Sequence, residues 1–185
     1  MPRSGAEARA RLREAALELY LEHGYDATTT AQIAESAGVT ERTYFRHFAD
    51  KREVLFDGEA ELRDVMVAAI AAAPEGTPPL ALVVAAYIAA VPLFVAGRPI
   101  ALRRAKVIAV TPALKERAQA KTATLAEAII AAIAARGIPE ATARLATQLG
   151  SAAFDRASRE WNAHPHSDLA AQITTAIDEV RSLAG

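Results

Sequence analysis

The sequence predicts an all-α fold, a three-helix N-terminal unit with a helix-turn-helix followed by a larger C-terminal helical unit, about nine helices in total. Three observations predict it. Of the 185 residues, 46 are Ala, the best helix former and a poor strand former. Gly and Pro punctuate the chain into stretches whose apolar residues recur at three- and four-residue spacing. Residues 28–55 carry three successive helix-capping signals around a turn glycine.

The helices follow in order. The first covers about residues 7–23, with Leu12, Ala16, Leu19 and Tyr20 on one face, and stops at Gly24. The second and third cover about 30–37 and 41–48. A fourth runs from 51 to 73, and Pro74, Gly76, Pro78 and Pro79 then mark a loop. The fifth, 80–96, contains Pro92, which cannot bond to the Ile88 carbonyl and should kink it. The sixth spans about 99–109. Pro112 opens a seventh that ends at Gly137, and Pro139 an eighth that ends before Pro165. The ninth, about 168–183, has Leu169, Ile173, Ile177 and Val180 in helical register.

Six of the ten aromatic residues (Tyr20, Tyr25, Tyr44, Phe45, Phe48, Phe56) lie in the first 56. Large rings fill a small core efficiently, whereas the Ala-rich remainder suits closely approaching helices. This shift places a domain boundary at residues 50 and 51, giving domains 1–50 and 51–185.

Composition excludes several classes. With no Cys there is no disulfide framework, thiol nucleophile or thiolate metal site. A net charge of -1 argues against nucleic-acid binding by bulk positive charge. Residues 1–52 hold eight Lys/Arg and eight Asp/Glu, so any such affinity must rest on a few placed cations and helix caps. No apolar stretch follows the N-terminal arginines as in a secretory signal. Residues 80–97 are uncharged and about long enough to span a bilayer. Their many Ala, Pro92 and the abrupt stop at Arg98 fit a buried helix better, so no membrane partner and a cytoplasmic location are expected.

Residues 28–55 read TTTAQIAESAGVTERTYFRHFADKREVL. Thr29 with Gln32 is a capping box. Ile33 and Ala34 face inward, and Gly38 can take the left-handed conformation of a sharp turn. Thr40 is a second N-cap. The next helix puts Tyr44 inside and Glu41, Arg42, Phe45 and Arg46 outside. Asp50 with Glu53 forms a third cap. Two short helices about a Gly turn, packed under a first helix, describe a helix-turn-helix. Capped N-termini and Lys51 suit phosphate contact, which holds register, while Arg42 and Arg46 can reach base edges. The bland alternative is a structural corner with solvated charges.

At these residues the chain resembles the tetracycline-repressor (TetR) family of transcriptional regulators. The match lies in His23-Gly24-Tyr25, Ala27-Thr28-Thr29, Ile33-Ala34, Ala37-Gly38-Val39-Thr40, Thr43, Phe48 and Lys51, covering about residues 8–56. The resemblance implies a homodimer on a palindromic double-stranded operator. It implies phosphate contacts from Thr29, Thr40, Thr43, His47 and Lys51, and base readout near Glu41 and Arg42. Two positions depart from the pattern. Tyr44 stands where the family often has Leu, and Phe45, where it often has Tyr, lacks the hydroxyl that would bond phosphate.

In the second domain Ala143, Ala146, Gly150, Ala153 and Ala157 form a small-residue stripe that permits close helix approach. From the residues alone, dimerisation and intramolecular packing are equally compatible with it. With the resemblance, Ala146, Gly150, Ala153, Ala157, Ile173 and Ile177 are expected at a dimer interface. Tyr87, Phe94, Leu125, Phe154 and Trp161 are candidate walls for a small, largely apolar effector, although each could be ordinary core. Residues 98–121 are locally basic (Arg98, Arg103, Arg104, Lys106, Lys115, Arg117, Lys121 against Glu116). They suit a solvated face, an anionic ligand with Arg104 as its cation, or contact with acidic residues of the first domain.

No nucleotide loop, zinc helix motif or nucleophile triad pattern is present. His164, His166, Asp168 and Glu160 lack metal-site geometry, so no enzyme activity, cofactor or metal is expected. The reading is a ligand-responsive regulator, most simply a repressor. A constitutive dimeric DNA-binding protein is the alternative, and an all-helical enzyme or adaptor a third class.

Overall fold

The computed structural model describes residues 2–164 and 166–183, and every regular element among them is helical. The order is α1 (Pro2–His23), α2 (Thr30–Ser36), α3 (Glu41–His47), a 3₁₀ turn (Glu53–Phe56), α4 (Glu59–Ala72), α5 (Pro79–Val110), α6 (Pro112–Ala134), α7 (Glu140–Ala163) and α8 (Leu169–Leu183). The chain divides into two compact units, residues 1–59 with 98–121, and residues 60–97 with 122–185.

Two helices depart from the sequence expectation. The helix expected over 51–73 is broken. The Asp50 carboxylate accepts from the Arg52 and Glu53 N–H groups at 2.7 and 3.1 Å, as a cap should, but the turn it opens is 3₁₀. Gly58, at φ +92°, then resets the chain before α4 begins. Conversely, the helices expected over 80–96 and 99–109 are one 32-residue helix, α5. A proline removes one donor and the helix can continue past it when its neighbours hold it. By length and composition α5 could cross a membrane, and it is buried only in part, through residues that include Leu82, Val83, Ala86 and Ala90. Pro165 of the α7–α8 connection lies outside the described residues.

In the first unit the core is built on the inner stripe of α1: Leu12, Ala16 and Tyr20. Ile33 and Ala34 of α2, Tyr44 and Phe48 of the α3 segment, and Val54, Leu55 and Phe56 join it. Val107 and Leu114 belong to the same cluster, and ion pairs fasten residues 98–121 to the rest of this unit. Arg103 pairs with Glu14. Arg117 Nε reaches Glu53 at 2.7 Å, and Lys121 Nζ bridges Glu53 at 3.1 Å and Glu59 at 2.7 Å.

The second unit has its own core of Met66, Ile70, Leu82, Val83, Ala86, Ile129, Ile133 and the inner faces of α7 and α8. This corrects the expected dimer contact. Ala146, Gly150, Ala153, Ala157, Ile173 and Ile177 are buried within the chain itself. A Cβ on Gly150 would lie 2.4 Å from Val83 Cγ1, so the stripe lets α5 and α7 approach and leaves those residues no surface for a second chain. On α7, the large exposed apolar side chains are Leu145 and Leu149, 57% and 40% exposed.

Candidate nucleic-acid interface

The site is assembled from the N-caps of α2 and α3 and the outer face of α3. Gln32 N–H donates to Thr29 Oγ1 at 3.2 Å while Thr29 N–H donates to Gln32 Oε1 at 2.8 Å, the reciprocal cap read from sequence. Gly38, at φ +66°, turns the chain, and Val39 N–H closes back on the Ala34 carbonyl at 2.9 Å. Thr40 Oγ1 then accepts from Thr43 N–H at 3.2 Å, and the two hydroxyls lie 3.1 Å apart. Thr29, Thr40 and Thr43 are therefore drawn to the first turns of their helices, where free N–H groups favour anions.

Tyr44 and Phe48 anchor α3 inward, and Glu41, Arg42, Phe45 and Arg46 are exposed. The Tyr44 ring is fully buried where a smaller Leu was expected. Its hydroxyl escapes that core by donating to the Asp50 carbonyl at 3.1 Å, so the larger side chain fills the slot with its polar end satisfied. Burial raises its pKa above the ordinary phenol value. The Tyr20 hydroxyl likewise donates to the Lys51 carbonyl at 2.6 Å.

Lys51 is more engaged than the sequence suggested. Its Nζ donates to the carbonyls of Tyr25 and Thr28 at 2.9 and 3.2 Å and lies 4.1 Å from the Tyr25 ring centroid. Its first role is to close the α1–α2 loop onto the segment after α3, leaving one ammonium hydrogen for phosphate. His47 Nε2 is enclosed without a hydrogen-bond partner, so that atom is not the one that meets phosphate. Desolvation, then Arg46 and Arg9, hold its imidazole below the ordinary pKa.

Two residues that sequence reasoning missed shape this face. Thr30 Oγ1 donates to Glu41 Oε1 at 2.6 Å, tying α2 to the start of α3. Arg9 of α1 reaches Asp57 at 2.7 Å and the His47 carbonyl at 3.3 Å, with its guanidinium 4.7 Å from the Phe48 ring centroid. Both join residues far apart in sequence, where no local pattern could announce them.

The candidate effector residues separate into two groups. Tyr87 stacks on Phe154 with centroids 4.2 Å apart, and Phe94 lies 4.7 Å from Phe154. The Tyr87 hydroxyl and Ser151 Oγ are 3.1 Å apart. Leu125 and Trp161 belong to the same apolar cluster. Arg104 does not: it lies in the first unit, donating to the Leu55 carbonyl at 3.1 Å. The sequence offered Arg104 as an effector cation, and here one of its guanidinium nitrogens meets the end of the 3₁₀ turn. Burial lowers its pKa from the ordinary guanidinium value.

Residues 12–57 match the family model described as bacterial regulatory proteins, tetR family. Over 72 residues the chain is 44% identical to the HTH-type transcriptional regulator TcmR of Streptomyces glaucescens, 39% of this chain and 32% of that protein. Over 42 residues it is 50% identical to the HTH-type regulator YvkB of Bacillus subtilis, 23% of this chain and 22% of that one. The chain thus matches a third or less of these curated relatives' length. Solved structures share the fold over far more of the chain. SmeT of Stenotrophomonas maltophilia with triclosan superposes at TM-score 0.64 and 18% identity, covering 95% of this chain and 90% of SmeT. The fatty acid degradation regulator FadR of Bacillus halodurans gives 0.59 and 15%, covering 91% and 92%. FadR of Thermus thermophilus with lauroyl-CoA gives 0.52 and 20%, covering 92% and 91%. The capped helix-turn-helix thus lies inside the segment that is similar to bacterial regulatory proteins of the tetR family.

Proposed function

We propose that the protein is a cytoplasmic, homodimeric DNA-binding regulator of transcription that represses from a palindromic operator and is released by a small, largely apolar molecule. The observation that carries the reading is the outer face of α3, where Arg42, Arg46 and Phe45 stand exposed on a helix locked from behind by Tyr44 and Phe48. Arg42 pairs with a guanine edge, and the capped helix starts and Lys51 hold phosphates. In a dimer two such helices enter successive major grooves about 34–36 Å apart. Residues 1–50 carry the reading face, and the effector and dimerisation surfaces lie within 51–185.

The effector reading is supported by the Tyr87, Phe94, Phe154, Leu125 and Trp161 cluster, an apolar interior with one hydroxyl pair. SmeT with triclosan and FadR with lauroyl-CoA are neighbours of the same fold that hold small molecules. An effector releases DNA only if it binds the DNA-free state more tightly. One observation favours a constitutive regulator instead: the stacked Tyr87 and Phe154 rings occupy that interior themselves.

Footprinting on the protein's own upstream region, with salt titration, tests the reading. A protected palindrome whose affinity falls as salt rises supports it, and Arg42→Ala should then cost about 1–3 kcal/mol of sequence discrimination. Absence of salt-sensitive binding to any duplex rejects it. Release of that site by apolar compounds, against none at saturation, separates the effector-responsive from the constitutive form.

A further inference from the structure

Phe45 is a large apolar side chain, 52% exposed, in the middle of a face that is otherwise charged. Resting on the DNA-binding reading above, we propose that its ring reads the 5-methyl group of a thymine in each operator half-site, and so selects T over C at that position.

The ring is held in place. It meets the Tyr44 ring edge-on, with centroids 5.5 Å apart and planes at 80°. Tyr44 in turn is fully buried and hydrogen-bonded to the Asp50 carbonyl. A ring supported in this way loses little freedom when it meets a partner.

Its neighbours define that partner. Arg42 and Arg46 lie three residues before it and one after, so the groove they enter is lined by polar base edges and phosphates. The Glu41 carboxylate, four residues before, is engaged by the Thr30 hydroxyl. Arginines can satisfy acceptors, but a phenyl ring offers neither donor nor hydroxyl. On the major-groove edges the apolar group is the thymine methyl. Seating the ring there removes apolar surface on both sides from water. A tyrosine would put a hydroxyl at the far end of this ring, and its absence suits a methyl better than a phosphate.

The full chain is used to select high-affinity duplexes from a random library, and each thymine of the selected site is then replaced singly by deoxyuridine, which deletes only the methyl. Wild type should bind roughly fourfold more weakly at one thymine per half-site, the worth of burying one methyl group. Phe45→Ala should bind the thymine and uracil duplexes equally, while Phe45→Leu keeps part of the preference. Circular dichroism and thermal unfolding establish that both variants fold. Tolerance of uracil at every position by wild type, or an unchanged penalty in Phe45→Ala, overturns the proposal while leaving DNA binding intact. Weaker self-association of DNA-free Phe45→Ala by sedimentation also overturns it, because the ring would then belong to a protein contact. Failure to enrich any duplex sinks the DNA reading itself, a separate result.

Discussion

Lys51 shows how one side chain near the proposed nucleic-acid face can act on stability first. Its ammonium group is held by the Tyr25 and Thr28 carbonyls and by the Tyr25 ring. Lys51→Met keeps the stem and removes those ties, and should lower unfolding free energy by about 1–3 kcal/mol in urea titrations. Unchanged stability with weakened DNA binding would assign the residue to phosphate alone. His47 makes a pH-dependent contribution. Its imidazole is held below the ordinary value of 6.5, so the folded state prefers the neutral ring and the unfolded chain binds the proton more readily. The resulting stability is present above about pH 6.5 and is lost as pH falls through the lower folded value. Urea midpoints measured from pH 7.5 downward should therefore fall less steeply in His47→Gln than in wild type. Equal slopes would show that the enclosed Nε2 carries no such preference.

At the scale of elements, local signals were legible and long-range ones were not. The caps at Thr29, Thr40 and Asp50 and the turn at Gly38 are written in residues two to five apart, and all four stand in the structure. The limits of α4 and α5 were misread for opposite reasons. Gly58 interrupts a run whose hydrophobic pattern continues beyond it, while α5 runs on through Pro92 and Pro99. The α7 stripe was recognised as a close-approach surface, but a spacing of small residues does not say which helix approaches. Gly150 supplies the answer through Val83. Even Gly150→Ala should cost about 1–3 kcal/mol by forcing α5 and α7 to shift, despite the better helix propensity of Ala. Thermal unfolding at fixed protein concentration measures it, and a rise in melting temperature would show that the contact yields freely.

For the whole molecule, the proposed self-association has to use surface that a single chain leaves open. Leu145 and Leu149 lie one turn apart on α7 and are 57% and 40% exposed, a pair that would gain by burial against a second copy. Leu145→Glu with Leu149→Glu should shift the protein toward monomer in sedimentation equilibrium while leaving its thermal unfolding cooperative. A double variant as dimeric as wild type would place the interface elsewhere. The aromatic residues of the second unit cluster as their type suggests, whereas Arg104 belongs to the first unit. Of the alternatives the basic run allows, contact with an acidic residue of the first domain is the one Arg103 makes with Glu14, while Arg104 meets the Leu55 carbonyl and Arg117 and Lys121 meet Glu53, Lys121 also Glu59.

The cluster that includes Val107 and Leu114 also bears on modularity. Residues 12–57, which match the tetR family model, look like a cassette that could be lifted out and fused to another domain. Their hydrophobic interior is completed by side chains that arrive some fifty residues later in the chain, carried by the end of α5 and the start of α6. A chimera cut after the 3₁₀ turn would inherit α3 while exposing apolar surface that the parent chain covers. A transplant that carries residues 98–121 as well would keep that interior closed, so the exchangeable piece of this protein is discontinuous in sequence.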